Sequence, residues 1–211
     1  MEIENHKEEV PFEHYLEKYG SLDPHEAAGR LNIVYDDSEG KFHFRFMGYA
    51  YEAAWPEFEI TSPDVGAGDL LMTSLPAKTF ILRYLLEGQY VRSSGRFMTF
   101  REVPVYGELY NKPFDGRCIK RLTYGFGYKL PVFSAAMERI PGAERIKMGD
   151  VAYEFELIDG YRMRFIFWEG DDEFPPSAQI LYSDNFQFGF HAEDMVVAGD
   201  LSITTLKKLS A

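Results

Sequence analysis

The chain has almost no cysteine, and this absence limits the chemistry that it can support alone. Cys118 is the one cysteine among 211 residues. A single thiol cannot form an internal disulfide, a CxxC motif or a four-thiolate cluster. The sequence also lacks the GxxxxGK[ST] pattern of a phosphate-binding loop and the GxSxG pattern of a nucleophile elbow. Metal and redox sites built from several cysteines are therefore excluded, as are a phosphate-binding loop and a nucleophile elbow of these patterns.

Long hydrophobic runs are absent as well. No stretch of about 18 apolar residues is available to span a bilayer. No apolar signal region follows the charged start of the chain at residues 1–7. We therefore predict a cytoplasmic protein that does not enter a membrane.

Positive charge is scarce: 22 Lys and Arg stand against 34 Asp and Glu, for a formal net charge of −12. Such a charge repels a phosphate backbone and argues against nucleic-acid binding. Hydrophobic and aromatic residues are plentiful, at 45% and 16%, and they are spread along the whole chain. Because no Pro/Gly/Ser-rich linker or internal repeat interrupts them, we predict a single domain over residues 1–211, with residues 1–8 frayed.

Some segments of the sequence have the two-residue hydrophobic period of strands and others have the hydrophobic spacing of helices, and together they predict an α+β fold. Apolar residues alternate with polar ones from residue 33 to residue 53, around a turn at 37–40, which indicates a meander of at least three strands. We expect an antiparallel sheet of several strands with helices packed against it. Helices are predicted at 9–19, 23–31, 74–88, 113–127, 131–139 and 192–209, and further strand-like segments at 92–103, 178–182 and 186–190.

The longest hairpin predicts its own register from its charges. Glu154 and Glu156 alternate with apolar residues in its first strand, and Arg162 and Arg164 do so in its second. A three-residue loop at 158–160 would pair each glutamate with an arginine, whereas a two-residue turn would mix the charged and apolar faces. We therefore predict the three-residue loop, with Glu156 opposite Arg162 and Glu154 opposite Arg164.

The least generic segment is the acidic loop between Trp168 and Ala178. It leaves a strong strand, carries Asp171, Asp172 and Glu173, and is stiffened by two prolines. Stiff loops often position functional groups, so Trp168 and the three acidic residues are candidates for ligand binding. The alternatives are a solvent-exposed acidic turn and a metal site.

A basic run at 117–121 is the second candidate. On a helix, Arg117 and Arg121 share one face, and Arg101 with Glu102 supplies a further charged pair upstream. A guanidinium group suits a carboxylate or phosphate ligand. Pairing with the protein's own carboxylates is the alternative. The binding hypothesis requires the acidic loop to close over this cationic face.

Cys118 is interpreted as a core residue. It lies on an apolar stripe with Phe114, Leu122 and Phe126, at intervals of four residues and opposite the cations. No histidine lies near it in sequence to act as a base, so a nucleophilic role is disfavoured.

His191 begins the one downstream cluster that could join the acidic loop at a metal. Its neighbours Glu193 and Asp194 read more simply as acidic residues at the start of a helix, where the helix dipole favours negative charge. The sequence therefore assigns no metal and no catalytic residue.

The segments 81–86, 94–104 and 168–178, with Phe114 and Arg117, resemble an uncharacterised domain-of-unknown-function family of anaerobic bacteria and archaea. The run WEGDDEFPPSA is similar to that family's most recognisable motif, W-x-G-D-x-E-F-P-P-x-A, and the resemblance spans roughly residues 25–205. It implies no established activity.

Some members of that family carry an added cysteine-rich iron–sulfur segment, and the restriction to anaerobes implies redox or one-carbon, corrinoid-type metabolism. This chain departs from those members, because one cysteine cannot hold a cluster. It also lacks the D-x-H-x-x-G pattern of corrinoid-binding domains.

We therefore expect a non-catalytic accessory or binding protein for a small anionic ligand or a partner protein in anaerobic metabolism. The alternative is a metal-dependent hydrolase or lyase that uses Asp171 and Glu173, with His191 as a third group. The sequence leaves open whether the protein is an enzyme, which cofactor it takes and how many copies associate.

Overall fold

The computed structural model describes residues 6–64, 72, 74–104 and 106–211. The fold is α+β, as predicted: the described strands pair antiparallel throughout, and helices pack against the sheet. Contacts group the chain into two compact units. The first is the described part of Met1–Phe44 and Ala50–Tyr90, and the second is that of Arg45–Tyr49 and Val91–Ala211. The single domain stays a prediction.

The first unit begins with two helices and has a third near its C-terminal end. Its helices are α1 His6–Tyr19, α2 Pro24–Leu31 and α3 Leu75–Glu87. The first five residues of the segment expected to fray lie outside the described residues, and α1 begins at His6. Asp23 caps α2 by accepting hydrogen bonds from the amides of His25 and Glu26, at 2.9 and 3.1 Å. The Asp-Pro order at 23–24 thus starts a helix where the sequence indicates one.

The predicted meander forms four strands, most of whose residues belong to the first unit. These are β1 Val34–Asp36, β2 Lys41–Phe46, β3 Tyr49–Ala54 and β4 Ile60–Thr61. Tyr35 pairs with Phe42 across the first turn. Phe42 and Phe44 are buried, whereas Lys41 and His43 on the opposite face are partly exposed. The period-two pattern therefore separates a core face from a polar face, as expected.

The second unit contains the longer strands. These are β5 Phe97–Thr99, β6 Glu144–Ile146, β7 Val151–Ile158, β8 Tyr161–Trp168 and β9 Ser177–Ser183. They pair in the order β6–β7–β8–β9–β5. Strand β5 thereby lies next to β9 although nearly 80 residues of chain separate them, and this pairing brings the segment after β5 to the sheet edge.

The β7–β8 hairpin has the predicted register but a different loop. Glu156 lies opposite Arg162 and Glu154 opposite Arg164. Ile158 also pairs with its partner strand, so the turn contains two residues and not three, and the strand is shifted by an irregularity at Leu157. This bulge absorbs one residue and keeps the two faces matched despite the short turn. The predicted three-residue loop is therefore wrong, although the charge-matched register is confirmed.

Helical segments cover the rest of the second unit. After a 3₁₀ turn at Phe100–Glu102 come α4 Gly107–Phe114, a π-turn at Asp115–Ile119, α5 Lys120–Phe126, α6 Leu130–Met137, α7 Phe186–Gly189 and α8 Ala192–Leu209. The helix expected to begin at residue 113 begins at Gly107. The segment 186–190, expected to alternate as a strand, is a short helix. None of the described helices is both long and apolar enough to cross a bilayer.

The apolar stripe on the α4–α5 stretch is buried as predicted. Phe114, Cys118, Leu122 and Phe126 are all at most 4% exposed. Helix α8 crosses this stripe at Gly199, where an added β-carbon would lie 2.9 Å from the Cys118 Sγ. A side chain at position 199 would therefore collide with the stripe, so glycine sets the distance between the two helices.

Candidate functional site

A surface groove of about 360 Å³ lies in the second unit. The 3₁₀ turn after β5, the α4–π-turn segment, and the facing ends of β8 and β9 form its walls. Its lining residues are Thr99, Phe100, Arg101, Asn111, Phe114, Asp115, Ile119, Trp168, Ala178, Gln179 and Ile180. This volume falls in the usual range for a small-molecule site. Two residues that the sequence predicts as ligand-binding, Arg101 and Trp168, are brought together here.

Arg101 is placed by a hydrogen-bonded turn. The pairing of Thr99 with Leu181 fixes the end of β5 against β9. The Glu102 carboxylate then accepts hydrogen bonds from the Thr99 amide at 2.7 Å and from its hydroxyl at 2.8 Å. These bonds lower the pKa of Glu102. Glu102, predicted as a ligand-binding residue, thus stabilises the turn that carries Arg101 into the groove.

Asn111 orients the Arg101 guanidinium. With its amide oxygen turned toward Arg101, Asn111 accepts from Nε at 3.2 Å and from Nη2 at 3.3 Å. One helical turn later, Asp115 lines the same groove, and its Oδ2 lies 3.0 Å from the Nζ of Lys120. Asn111 and Asp115 were not predicted from the sequence. Pro113 between them was the available signal, because an internal proline disturbs a regular helix.

The π-turn is the structural irregularity at this site. The amide of Lys120 bonds to the carbonyl of Asp115, five residues back, where a regular helix would span four. The first and last residues of this turn, Asp115 and Ile119, both line the groove. Single π-turns are frequent at functional sites, because they redirect side chains within an otherwise regular helix.

Aromatic rings form the apolar part of the groove. Phe100 and Phe114 stack with ring centroids 4.3 Å apart and planes within 10° of parallel. Trp168, the last residue of β8, is held by pairing with Ser177 and remains 39% exposed. Gln179 on β9 adds an amide that has no hydrogen-bond partner among the described residues. Because Phe100 and Phe114 are buried, the groove combines the exposed indole of Trp168 with polar groups that can contact a ligand.

The cationic face predicted at Arg117 and Arg121 is paired within the protein. Arg117 Nη2 lies 3.2 Å from Asp200 Oδ2 on α8. Arg121 forms a short ion pair with Asp200 and also donates to its backbone carbonyl at 3.0 Å and to the Thr204 hydroxyl at 2.8 Å. This is the intramolecular alternative that the sequence left open, and neither arginine lines the groove.

Because Asp200 pairs with Arg117 and Arg121, we predict that it stabilises the fold and does not contribute to ligand binding in the groove. The variant Asp200→Asn should lower the free energy of unfolding by about 1 kcal/mol, because the ion pair is partly exposed and its solvent screening is substantial. Urea unfolding measures this change. Anion binding at the groove should be unaltered, and a clear gain or loss of binding in this variant would contradict the assignment.

The acidic loop is organised by Asp171. The Asp171 carboxylate accepts from the amides of Phe174 at 2.7 Å and Glu173 at 2.9 Å, and these bonds lower its pKa. Asp172 and Glu173 are exposed. Pro176, at the end of the loop, packs close to Gly127, the residue after α5, where an added β-carbon would lie 3.0 Å from the Pro176 ring. The three acidic residues do not line the groove.

Cys118 and His191 occupy the structural positions expected of them. Burial raises the pKa of the Cys118 thiol to about 12, and its Sγ lies 3.3 Å from the carbonyl of Val196. A thiol with this pKa is a poor nucleophile near neutral pH. His191 is the N-cap residue of α8, and its amide donates to the Asp194 carboxylate at 3.2 Å. Among the residues that the structure describes, no three His, Cys, Asp or Glu side chains converge as a metal site.

The antiparallel sheet, its helices and the groove define an α+β protein with a surface cavity sized for a small molecule. The chain belongs to the DUF3786 family, a domain of unknown function, whose model matches residues 23–205. This match confirms the resemblance to an uncharacterised domain-of-unknown-function family. No curated protein and no solved structure matches the chain.

Proposed function

We propose that this protein is a binding protein whose groove takes a small anionic molecule through Arg101. The observation that supports the proposal is the meeting of Arg101 and Trp168 in one open cavity of about 360 Å³, although 67 positions separate them in the chain. The distance along the chain means that the fold, not local sequence, brings a cation and an aromatic ring together.

The hydrogen-bonding groups of the groove favour an acceptor-rich ligand. Asn111 occupies Nε and Nη2 of Arg101, which leaves Nη1 without a partner among the described residues. Within the same part of the chain, the Trp168 indole N–H and the Gln179 amide also lack hydrogen-bond partners. A carboxylate or phosphate oxygen satisfies such donors, and charge-assisted bonds to guanidinium are stronger than neutral ones.

Binding of defined anions tests this proposal. We expect at least one of benzoate, 3-phenylpropanoate, phenyl phosphate and inorganic phosphate to bind saturably in isothermal titration calorimetry. The variant Arg101→Gln should weaken that binding by about tenfold or more, because it removes a charge-assisted contact worth roughly 1.5–3 kcal/mol. Quenching of Trp168 fluorescence, absent in Trp168→Phe, would place the ligand in the groove.

A matched control separates the groove from the general charge of the protein. Arg145 is an exposed arginine on β6 that does not line the groove. The variant Arg145→Gln changes the net charge by the same amount as Arg101→Gln, and we expect it to leave anion affinity unchanged. Equal losses in both variants, or no saturable binding of any of the four anions, would contradict the proposed function.

The remaining parts of the functional hypothesis rest on the sequence. We keep as proposals an accessory, non-catalytic role, a location in the cytoplasm and, from the family resemblance, a place in anaerobic metabolism. A partner protein is a further candidate ligand. No contact among the described residues favours the metal-dependent hydrolase or lyase that uses Asp171 and Glu173.

A further inference from the structure

From the polar groups of the groove, we infer that its ligand is a zwitterion of the α-amino acid type with an apolar side chain. This inference rests on the proposed function and names the class of ligand for the same groove. Arg101 would bind the carboxylate, Asp115 the ammonium group, and the exposed indole of Trp168 the side chain.

Asp115 supplies the acceptor that a simple anion does not need. Lys120 occupies only its Oδ2, at 3.0 Å. Among the described residues no group bonds to its Oδ1, although a carboxylate can accept up to about four hydrogen bonds. The Asp115 carboxylate weakens the binding of a purely anionic ligand at Arg101 without preventing it, whereas an ammonium group on the ligand would satisfy that carboxylate.

Two side chains of opposite charge, Arg101 and Asp115, line the same groove. Asn111, which orients Arg101, and Asp115 are four residues apart on one helical stretch, where such positions are about 5–6 Å apart at their β-carbons. A carboxylate and an ammonium group on a single carbon each reach about 2.8 Å to their protein partners. An α-amino acid therefore carries the two charges that these two lining residues complement.

Apolar surface and net charge favour the same ligand class. The accessible apolar surface of the groove comes from Trp168, which is 39% exposed, and from the partly exposed Ile119, whereas Phe100 and Phe114 are buried. A ligand side chain placed there gains hydrophobic contact area. A zwitterion has no net charge, so the formal charge of −12 on the protein weakens its binding less than that of a free anion.

Three probes that share one phenyl group test the inference. L-Phenylalanine carries both charges, 3-phenylpropanoate lacks the ammonium group and phenethylamine lacks the carboxylate. By isothermal titration calorimetry we expect the wild-type protein to bind L-phenylalanine at least tenfold more tightly than either analogue. The variant Asp115→Asn should remove this preference over 3-phenylpropanoate, and Arg101→Gln should remove the preference over phenethylamine.

A second variant keeps the test independent of changes to the helix. Lys120→Met removes the cation that pairs with Asp115 but retains the carboxylate. We expect it to bind L-phenylalanine as tightly as the wild type, or more tightly. If Asp115→Asn lost affinity only because the Asp115–Lys120 pair holds the turn, Lys120→Met would show the same loss, and that result would overturn the inference.

The possible outcomes separate this inference from the proposed function. Arg101-dependent binding of 3-phenylpropanoate, benzoate or a phosphate, with no preference for L-phenylalanine, would overturn the zwitterion and leave the anion-binding function standing. Tightest binding of phenethylamine would also overturn it. If none of the carboxylates, phosphates or L-phenylalanine bound, both the function and the inference would fail.

Discussion

Replacing Phe133 by alanine should lower the free energy of unfolding by about 4 kcal/mol. Phe133 is fully buried on α6, and its ring contacts those of Phe126, Tyr153 and Phe167, with centroids 5.7, 5.7 and 4.7 Å away. It thus joins one helical stretch to two strands of the sheet. Truncation removes these contacts and leaves a cavity that a close-packed core cannot fill. Urea unfolding followed by circular dichroism measures the loss.

The neighbouring residue on the same helix provides the control. Val132 is 40% exposed. The variant Val132→Ala should change stability by less than about 0.5 kcal/mol, since an exposed site loses little packing and alanine favours a helix. A loss below about 1.5 kcal/mol for Phe133→Ala would mean that α6 does not close the core as the contacts indicate.

The variant Asp159→Asn should stabilise the protein, and the gain should grow with pH. Asp159 lies in the β7–β8 turn with its side chain 15% exposed, and its Oδ2 has no hydrogen-bond partner in the part of the chain that the structure describes. Burial raises the pKa of Asp159 from 3.8 to about 7, although the Arg45 amide donates to Oδ1 at 3.1 Å and its guanidinium lies 4.0 Å away. Glu156 nearby raises the pKa further.

The raised pKa of Asp159 determines how the stability of the protein depends on pH. A carboxyl group whose pKa is higher in the folded state favours folding when protonated, so its stabilisation is complete below about pH 4 and is lost as pH rises to about 7. Asparagine cannot ionise. We therefore expect little difference between variant and wild type near pH 4, and a gain of up to about 4 kcal/mol for Asp159→Asn above pH 7.

Urea unfolding at pH 4.5 and pH 8 tests this prediction. Asparagine tolerates the positive φ of 21° at position 159, so the substitution should preserve the turn. The exposed residue Asp172 serves as a control, and Asp172→Asn should alter stability by less than about 0.5 kcal/mol at either pH. A gain for Asp159→Asn that is equal at both pH values would show that ionisation is not the cause.

Much of the fold could be predicted from the sequence because its determinants are local or periodic. The alternating charges of β7 and β8 specified their register, since a shift of one residue would bring charged and apolar faces together. The two-residue turn could not be predicted by the same reasoning. A bulge at Leu157 keeps charged residues opposite charged ones and apolar residues opposite apolar ones. Whether such a bulge forms depends on how the side chains pack in three dimensions, which the pattern of residue types along the strand does not show.

The candidate site was only half predictable, because its parts are distant in sequence. Arg101 and Trp168 stood out by residue type and by the unusual loop beside Trp168. Asn111, Asp115 and Gln179 are ordinary residues whose importance follows from the π-turn and from the pairing of β5 with β9. Patterns of alternation and helical period show which face a residue takes, but not which distant segment faces it.

The partner of Arg121 on α5 could likewise not be identified from the sequence. Surplus carboxylates made an internal partner for Arg121 a reasonable alternative, yet composition could not identify that partner. It is Asp200, 79 residues further along the chain. Its place on α8 depends on the close approach of that helix at Gly199.

The π-turn also determines how this helical stretch tolerates insertion and deletion. An α-helix rotates by about 100° per residue, so one extra residue offsets the side chains before the turn from those after it. Deleting Gly116 would restore a regular helix and rotate Asn111 away from Arg101, while Leu122 and Phe126 could keep their places in the core. The guanidinium would then lose its support, and Phe114, which also precedes the deletion, would lose its stacking on Phe100.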